Sequence, residues 1–325
     1  MPAGDAVAVA ERLLALQAQD ARGVRLAIRA RTTGLCATDV DRALSVERTL
    51  VIGWLNRGTL HLVRSEDYGW LHALTAPRMV AGNQRRLRQE GVSVAAAERG
   101  VEVIENSLGE EGPLRRVQLG DRIARAGVRT EGQALVHLLV LASLRGLIVR
   151  GPVIDGQHAF ALARDWLGHQ QPVERERAVA ELARRYLRGH GPADERDLAK
   201  WSGLPLRDAR AGLTAIARQL RQRSDGLVEL ASAEAPAELP PPRLLGAFDP
   251  LLHGWRSREP VLGQNVNVVT VNGIFRPIAL VRGRAVTTWT MPNRRFLLAP
   301  FAPLNATDQA TLEHDACDVA RYLGQ

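Results

Sequence analysis

Two glutamines one residue apart, Gln17 and Gln19, form the polar pair in this sequence with the clearest chemical possibilities. A neutral amide offers an oxygen acceptor and an NH2 donor, so it can hold a water molecule or lend partial negative charge to a growing cation, but it is no strong general base. Gln17 follows Leu13 and Leu14 at i+4 and i+3, so a helix continuing through this segment turns the amide inward. Burial without a partner costs about 1–3 kcal/mol, so an inward amide is either satisfied by the fold or serves a cavity. The plainer alternative is a glutamine solvated, or capping the backbone, at a helix end. A second polar pair, Thr59 and His61, lies in the extended run Thr59–Val63, where alternate residues share a face. A histidine so placed is also commonly a packed or solvent-facing residue.

Metal and nucleotide chemistry find no support. Cys36 and Cys317 are the only cysteines and neither has a second thiol or imidazole at ligand spacing, which predicts reduced thiols and no structural zinc. The eight histidines form no i, i+4 pair around a glutamate. Neither a phosphate loop ending in Gly-Lys-Ser/Thr nor a dinucleotide fingerprint occurs, so no cofactor is expected. The longest apolar stretch, Ala134 to Leu144, is broken by His137 and Ser143, and residues 1–11 lack the pattern of a secretory leader. A cytoplasmic protein with no membrane partner is the expectation.

A net charge of +8 favours a polyanionic partner. Lys200 is the only lysine, so nearly all positive charge is arginine. Arginine grips phosphate oxygens with a planar fork, although a GC-rich genome enriches it without any such purpose. Arg78, Arg85, Arg86 and Arg88 cluster on one segment, and Arg115, Arg116, Arg122, Arg125 and Arg129 on another; each cluster reads either as a phosphate grip or as a solvated helix face. The six tryptophans sit beside apolar neighbours and read as core anchors.

The elements that must position these residues repeat one order. A helix from Val7 to Leu16 precedes a second one capped by Asp20 and running to about Arg31, leaving Gln17-Ala18-Gln19 between them. Helices at Asp39–Leu44 and Val46–Leu55, a turn at Asn56-Arg57-Gly58 and the strand from Thr59 give helix, turn, helix, strand, with Ser65 starting the next helix. The order returns from Pro113, with a helix to Ala126, a Thr130-capped helix to Leu144 and a hairpin around Gly151–Gly156. It returns again with helices at Ala178–Leu187, Glu195–Trp201 and Leu206–Gln219 before a strand at Leu227–Leu230. After Ala231 the composition shifts to Ala, Glu and Pro, marking a stiff linker. Beyond it Val266–Val271, Ile278–Val281 and Ala285–Trp289 read as strands and Thr307–Leu323 as a helix. The fold class is therefore α+β, with three tandem winged-helix units: N-terminal helices plus a first winged helix over 1–112, a second over 113–172 and a third over 173–238, followed by a small β-rich part over 239–325.

Several segments together carry a resemblance: Leu16-Gln17-Ala18-Gln19-Asp20, Arg57-Gly58-Thr59-Leu60-His61-Leu62, the run Gly189 to Leu204, Phe248 to Trp255, and Asn272-Gly273 through Trp289. Over nearly its whole length the chain resembles the AlkZ-like winged-helix DNA glycosylases, bacterial enzymes that unhook interstrand crosslinks and remove N7-alkylated guanines. The resemblance implies three tandem winged helices clamped around duplex DNA with a C-terminal β-rich part. It puts the family's Gln-x-Gln catalytic motif on Gln17 and Gln19, with Thr59 and His61 beside the site. A related branch carries Asp at the second position; the Gln found here matches the AlkZ-like branch. Duplex DNA bearing alkylated bases is the implied partner, with Arg57, Arg78, Arg85, Arg86, Arg88 and Lys200 as the expected DNA contacts and a nucleoid-associated location.

Two amides suit that chemistry. Alkylation at N7 makes the purine cationic and already a good leaving group, so the enzyme need only orient water at the anomeric carbon and stabilise an oxocarbenium-like sugar. Lys200, far in sequence from Gln17, reads as a surface or phosphate-contacting charge rather than a Schiff-base amine, which implies a monofunctional enzyme. The alternatives are a winged-helix regulator and a protein that binds adducts without cutting.

Overall fold

Short carboxylates open the first two helices. Asp5 accepts from the Ala8 amide at 2.7 Å and starts α1 (Ala6–Leu13), and Asp20 accepts from the Gly23 amide and starts α2 (Ala21–Arg29). The computed structural model describes residues 4–233, 238–264 and 266–324. Between the two helices the chain departs from the expected helix to Leu16. Leu14 takes φ 63°, the Ala15 amide bonds back to the Leu13 carbonyl at 2.8 Å, and Leu16–Gln17 continue as a short strand, β1.

Two compact units result, one from the described residues of Met1–Val40, Ala180–Trp201 and Pro205–Gln325, the other from Asp41–Val179 and Ser202–Leu204. In the second, α3 (Ala37–Ser45), whose last residues belong to it, leads to β2 (Leu50–Leu55) and β3 (Thr59–Arg64). The helix expected over Val46–Leu55 is thus a strand. All six β2 residues are buried, and the strand pairs with β3 in a register that sets Gly53 opposite His61 and Leu55 opposite Thr59. An apolar run rich in β-branched residues and covered on both faces suits a central strand, which its periodicity alone cannot reveal.

The unit continues through α4 (Ser65–Thr75), α5 (Val80–Gln89), α6 (Val94–Glu111), α7 (Arg116–Arg125) and α8 (Ala134–Leu144) to the hairpin β4 (Ile148–Ile154) and β5 (Gln157–Leu162), then α9 (Ala163–Leu167). Thr130 does not cap α8, which begins four residues later behind Gln133, after a turn in which Gly132 takes φ 60°. Within this unit β3, β2, β4 and β5 form one antiparallel sheet in that order, with Ile52 paired to Arg150. The hairpin of the second helix–turn–helix is therefore built into the same sheet as the hairpin at Asn56-Arg57-Gly58.

In the first unit, α10 (Arg175–His190), whose opening turn lies in the other unit, leads to α11 (Glu195–Ser202), α12 (Leu206–Ala215) and the two-stranded ladder β6 (Leu220–Gln222) and β7 (Val228–Leu230). The turn before α12, whose residues Ser202–Leu204 belong to the other unit, closes on Gly203 at φ 76°. Of the Ala/Glu/Pro stretch, residues 234–237 lie outside the described residues, and both flanks belong to the same unit. Then follow β8 (Arg243–Leu245), α13 (Glu259–Leu262), β9 (Ile278–Val281), β10 (Arg284–Thr290), β11 (Leu297–Pro300) and α14 (Ala306–Tyr322), the four strands ordered β11-β10-β9-β8.

The strand expected at Val266–Val271 is instead a single 3-10 turn and one bridge, Val269 to Phe275. The Thr270 amide bonds the Ile274 carbonyl at 2.9 Å and closes the Asn272-Gly273 loop too early for a ladder. The sheet packs on α14 and α2 through Leu26, Leu244, Trp289, Leu312, Val319 and Tyr322. Arg29 lies inside this core at 2% exposure, bonded to Asp318 Oδ2 at 2.9 Å, to Asp315 Oδ1 and to the Leu244 carbonyl at 3.2 Å. Trp54, Trp70, Trp166, Trp201 and Trp289 are buried as core anchors should be, whereas Trp255 is half-buried.

Candidate active site

Gln17 is buried at 8% exposure between buried Leu16 and Ala18, while Gln19 is exposed. The inward amide is thus a property of the strand and not of a continued helical stripe. It forms no hydrogen bond with any described residue. An amide held inward without an internal partner leaves its oxygen and NH2 available to a water or a ligand.

Main-chain contacts hold this segment. Gly23, in the first turn of α2, packs so closely on Ala247 that a Cβ there would lie 2.3 Å from the Ala247 carbonyl oxygen, and a Cβ on Gly246 would meet the Gly23 oxygen at 2.8 Å. Just past α2, Arg31 forks onto buried Asp249 at 2.8 and 2.9 Å, and Asp249 also accepts from the Leu251 amide. Residues 254–256, at the end of the Phe248–Trp255 segment and just past it, are braced in turn by the Gly189–Leu204 run and the end of the helix before it. Tyr186 donates to the Gly254 carbonyl at 2.6 Å, Trp255 Nε1 to the Pro192 carbonyl at 3.1 Å, and the Arg256 amide to Asp197 at 2.9 Å. The same unit holds a cavity of about 580 Å³ lined by Val9, Arg12, Arg31, His190, Arg243 and Trp255 among others; neither glutamine lines it.

In the other unit β3 carries Thr59 and His61 together. His61 is 2% exposed, and its Nδ1 lies 2.9 Å from the Thr59 carbonyl oxygen. A carbonyl only accepts, so Nδ1 bears the proton in that contact. Thr59 Oγ1 is sealed without a hydrogen-bond partner among the described residues, as are both amide atoms of Asn56. Three such atoms around one hairpin turn depart from the near-complete pairing usual for buried polar groups. Asn56 went unnoticed in the sequence because an asparagine before Arg-Gly is ordinary turn chemistry. Arg57, at φ 47°, stands at the tip, and Gly203 approaches it so closely that a Cβ would lie 2.9 Å from the Arg57 nitrogen.

The expected DNA contacts fall on several elements. Arg85, Arg86 and Arg88 project from α5 and Arg78 from the turn before it; all are exposed, and none forms an ion pair among the described residues. The inner side of α5 is fixed to α8 by Asn83, which donates to the His137 carbonyl at 2.9 Å. Lys200 is exposed on α11 in the first unit.

A family model described as DNA glycosylase AlkZ-like matches residues 10–322. The chain belongs to the AlkZ-like DNA glycosylase family. An interstrand DNA cross-link repair glycosylase of Streptomyces sahachiroi is 25% identical over 350 residues, spanning 97% of this chain and 90% of that protein. The solved structure of Streptomyces sahachiroi DNA glycosylase AlkZ shares the fold, with a TM-score of 0.81 at 23% identity over 99% of this chain and 92% of that one. This AlkZ-like chain thus has an α+β, winged-helix-related fold, and α7–α8–β4–β5 and α11–α12–β6–β7 each follow the helix–turn–helix–hairpin order.

Proposed function

We propose that this AlkZ-like protein is a monofunctional DNA glycosylase that hydrolyses the N-glycosidic bond of N7-alkylated purines, cross-linked guanines included. The observation that carries the reading is the inward Gln17 amide with no partner among the described residues. In the reaction the C1′–N9 bond breaks and its electron pair neutralises the cationic base. A water held by the Gln17 and Gln19 amides adds to C1′ and releases its proton to solvent. The amide oxygens oppose the positive charge growing on the sugar. Since neither glutamine can protonate a leaving group, activity is confined to bases that are already cationic. The exposed arginines Arg78, Arg85, Arg86 and Arg88 supply phosphate contacts.

Chromatography of bases freed from N7-methylguanine duplex, with and without chelator, tests the proposal. Free N7-methylguanine is expected in both arms, with its release abolished in the Gln17→Ala, Gln19→Ala double variant and unchanged in Lys200→Ala. Borohydride trapping of a protein–DNA adduct that is lost in Lys200→Ala would overturn the monofunctional mechanism, and no release from methylated, bulky or cross-linked substrates would leave a regulator as the better reading.

A further inference from the structure

The arginines around α7 are not equivalent. Arg115 pairs with Asp155 at 2.9 Å, Arg122 with Glu111, and Arg129 with Glu131 at 3.5 Å. Arg116, the first residue of α7, is exposed and has no carboxylate partner among the described residues. Close to it lies Arg150 of β4, which the sequence did not single out. Ile52, Arg150, Phe160 and Leu114 face one another in a row across the sheet, Leu114 and Phe160 exchanging backbone hydrogen bonds of 3.0 and 2.8 Å. Residues in such a row share a face, and Arg116 is two positions beyond Leu114.

Arg150 is half-buried, and it has no hydrogen-bond acceptor and no carboxylate among the described residues. Its Nε is sealed, while its terminal nitrogens are not among the sealed unpartnered atoms and so reach the surface. Only rings meet it: the guanidinium carbon lies 5.3 Å from the centroid of Phe160 and 5.8 Å from that of Trp54. Burial weakens its hold on the proton, and the charge of Arg116 acts the same way. A guanidinium stays charged regardless. A partly desolvated cation thus lies beside a second, and no described residue supplies a counter-charge to either.

We infer that Arg150 and Arg116 form an anion site that takes a backbone phosphate of duplex DNA at the start of α7. The assignment rests on the DNA-directed reading above. A phosphate oxygen bonded to the Arg150 terminal nitrogens and facing Arg116 neutralises both cations, and the positive end of α7 favours the same charge. DNA backbone is preferred over a free anion because α7 is the first helix of a helix–turn–helix, the element that crosses the phosphate backbone while its partner faces the groove.

The test is binding of an undamaged duplex oligonucleotide over a salt series by the wild type, Arg116→Gln, Arg150→Met and the double variant, with Arg115→Gln as the already neutralised control. Loss of one phosphate contact lowers the slope of log K against log salt by about 0.9. The double variant is expected to show that decrement once and not twice, each single variant no more than it, and the control none. Arg116 is exposed, so Arg116→Gln reports even if Arg150→Met folds poorly. Unchanged slopes in Arg116→Gln and the double variant overturn the proposal and leave Arg150 a ring-stacking residue only. Thermal stabilisation of the wild type but not the double variant by inorganic phosphate at fixed ionic strength, with unchanged DNA slopes, overturns the DNA assignment in favour of a free anion. A wild type that binds no duplex overturns the proposal together with the DNA reading.

Discussion

Arg29 and Arg150 are both guanidinium groups drawn out of water, one in each unit, and they are treated oppositely. Arg29 is enclosed by Asp315, Asp318 and the Leu244 carbonyl, and Asp315 also accepts from the Leu244 amide at 2.7 Å, so the charge and its partners tie α2, α14 and β8 together. Arg150 has Trp54 and Phe160 for neighbours and no acid among the described residues. A buried cation with internal counter-ions is an architectural part whose removal strands the carboxylates. One without them contributes little to folding and is suited to a charge from outside. Arg29 is the more deeply buried of the two, and the hydrogen-bond partners set them apart in kind.

The largest expected effect is on Arg29. Arg29→Met leaves Asp315 buried without its cation and should destabilise the protein by about 3–5 kcal/mol in a denaturant titration. Next, Arg150→Met removes a cation that lacks an internal acceptor, so its stability should stay within about 1 kcal/mol of the wild type, the lost ring contacts being offset by relief of desolvation. A loss as large as that of Arg29→Met would erase the contrast and point to an internal role.

The smallest effect comes from a half-buried base with no acid among the described residues. His72 stacks on Tyr68 at 5.3 Å and bonds the Ser143 carbonyl at 2.8 Å. Burial holds its proton affinity below the usual histidine range, the carbonyl acting only weakly in the other direction. Unlike arginine, it escapes burial by giving up its proton. Because the folded state binds that proton less readily than the unfolded one, the contribution of His72 is complete above the ordinary value of 6.5 and is lost as pH falls from there through the folded value. Thermal melts from pH 7.5 to 5 should show this acid-side decline in the wild type and a flatter one in His72→Phe.

Local chemistry made part of this legible in advance. Asp20 as a cap, the turns at Asn56-Arg57-Gly58 and Gly203, and the α7–turn–α8–hairpin order depend on residues adjacent in sequence, and they stand in the structure. Val46–Leu55 was misread because its apolar run fits helix and strand alike until β3 and β4 flank it. Gln17 was expected inward and is inward, but the cause is the break at Leu14, which no pattern announced. The arginines could not be sorted, because their partners lie far along the chain. Arg122 and Glu111 are 11 residues apart, Arg115 and Asp155 40, and Arg145 and Glu98 47. The unmatched charge of Arg150 and the sealed amide of Asn56 become visible only when every neighbour is known.

The contact between Gly23 and the Gly246-Ala247 backbone has a consequence for redesign. Where two main chains touch directly, backbone contact sets their spacing more than side-chain volume does, so Leu244 and Trp289, which take no part in the close approach, can be repacked with less effect on the start of α2. The joint is a fixed datum from which the Gln17–Gln19 segment, only a few residues upstream, is measured. Its tolerance is correspondingly one-sided: many core volumes are admissible, but a single added methyl at position 23 is not.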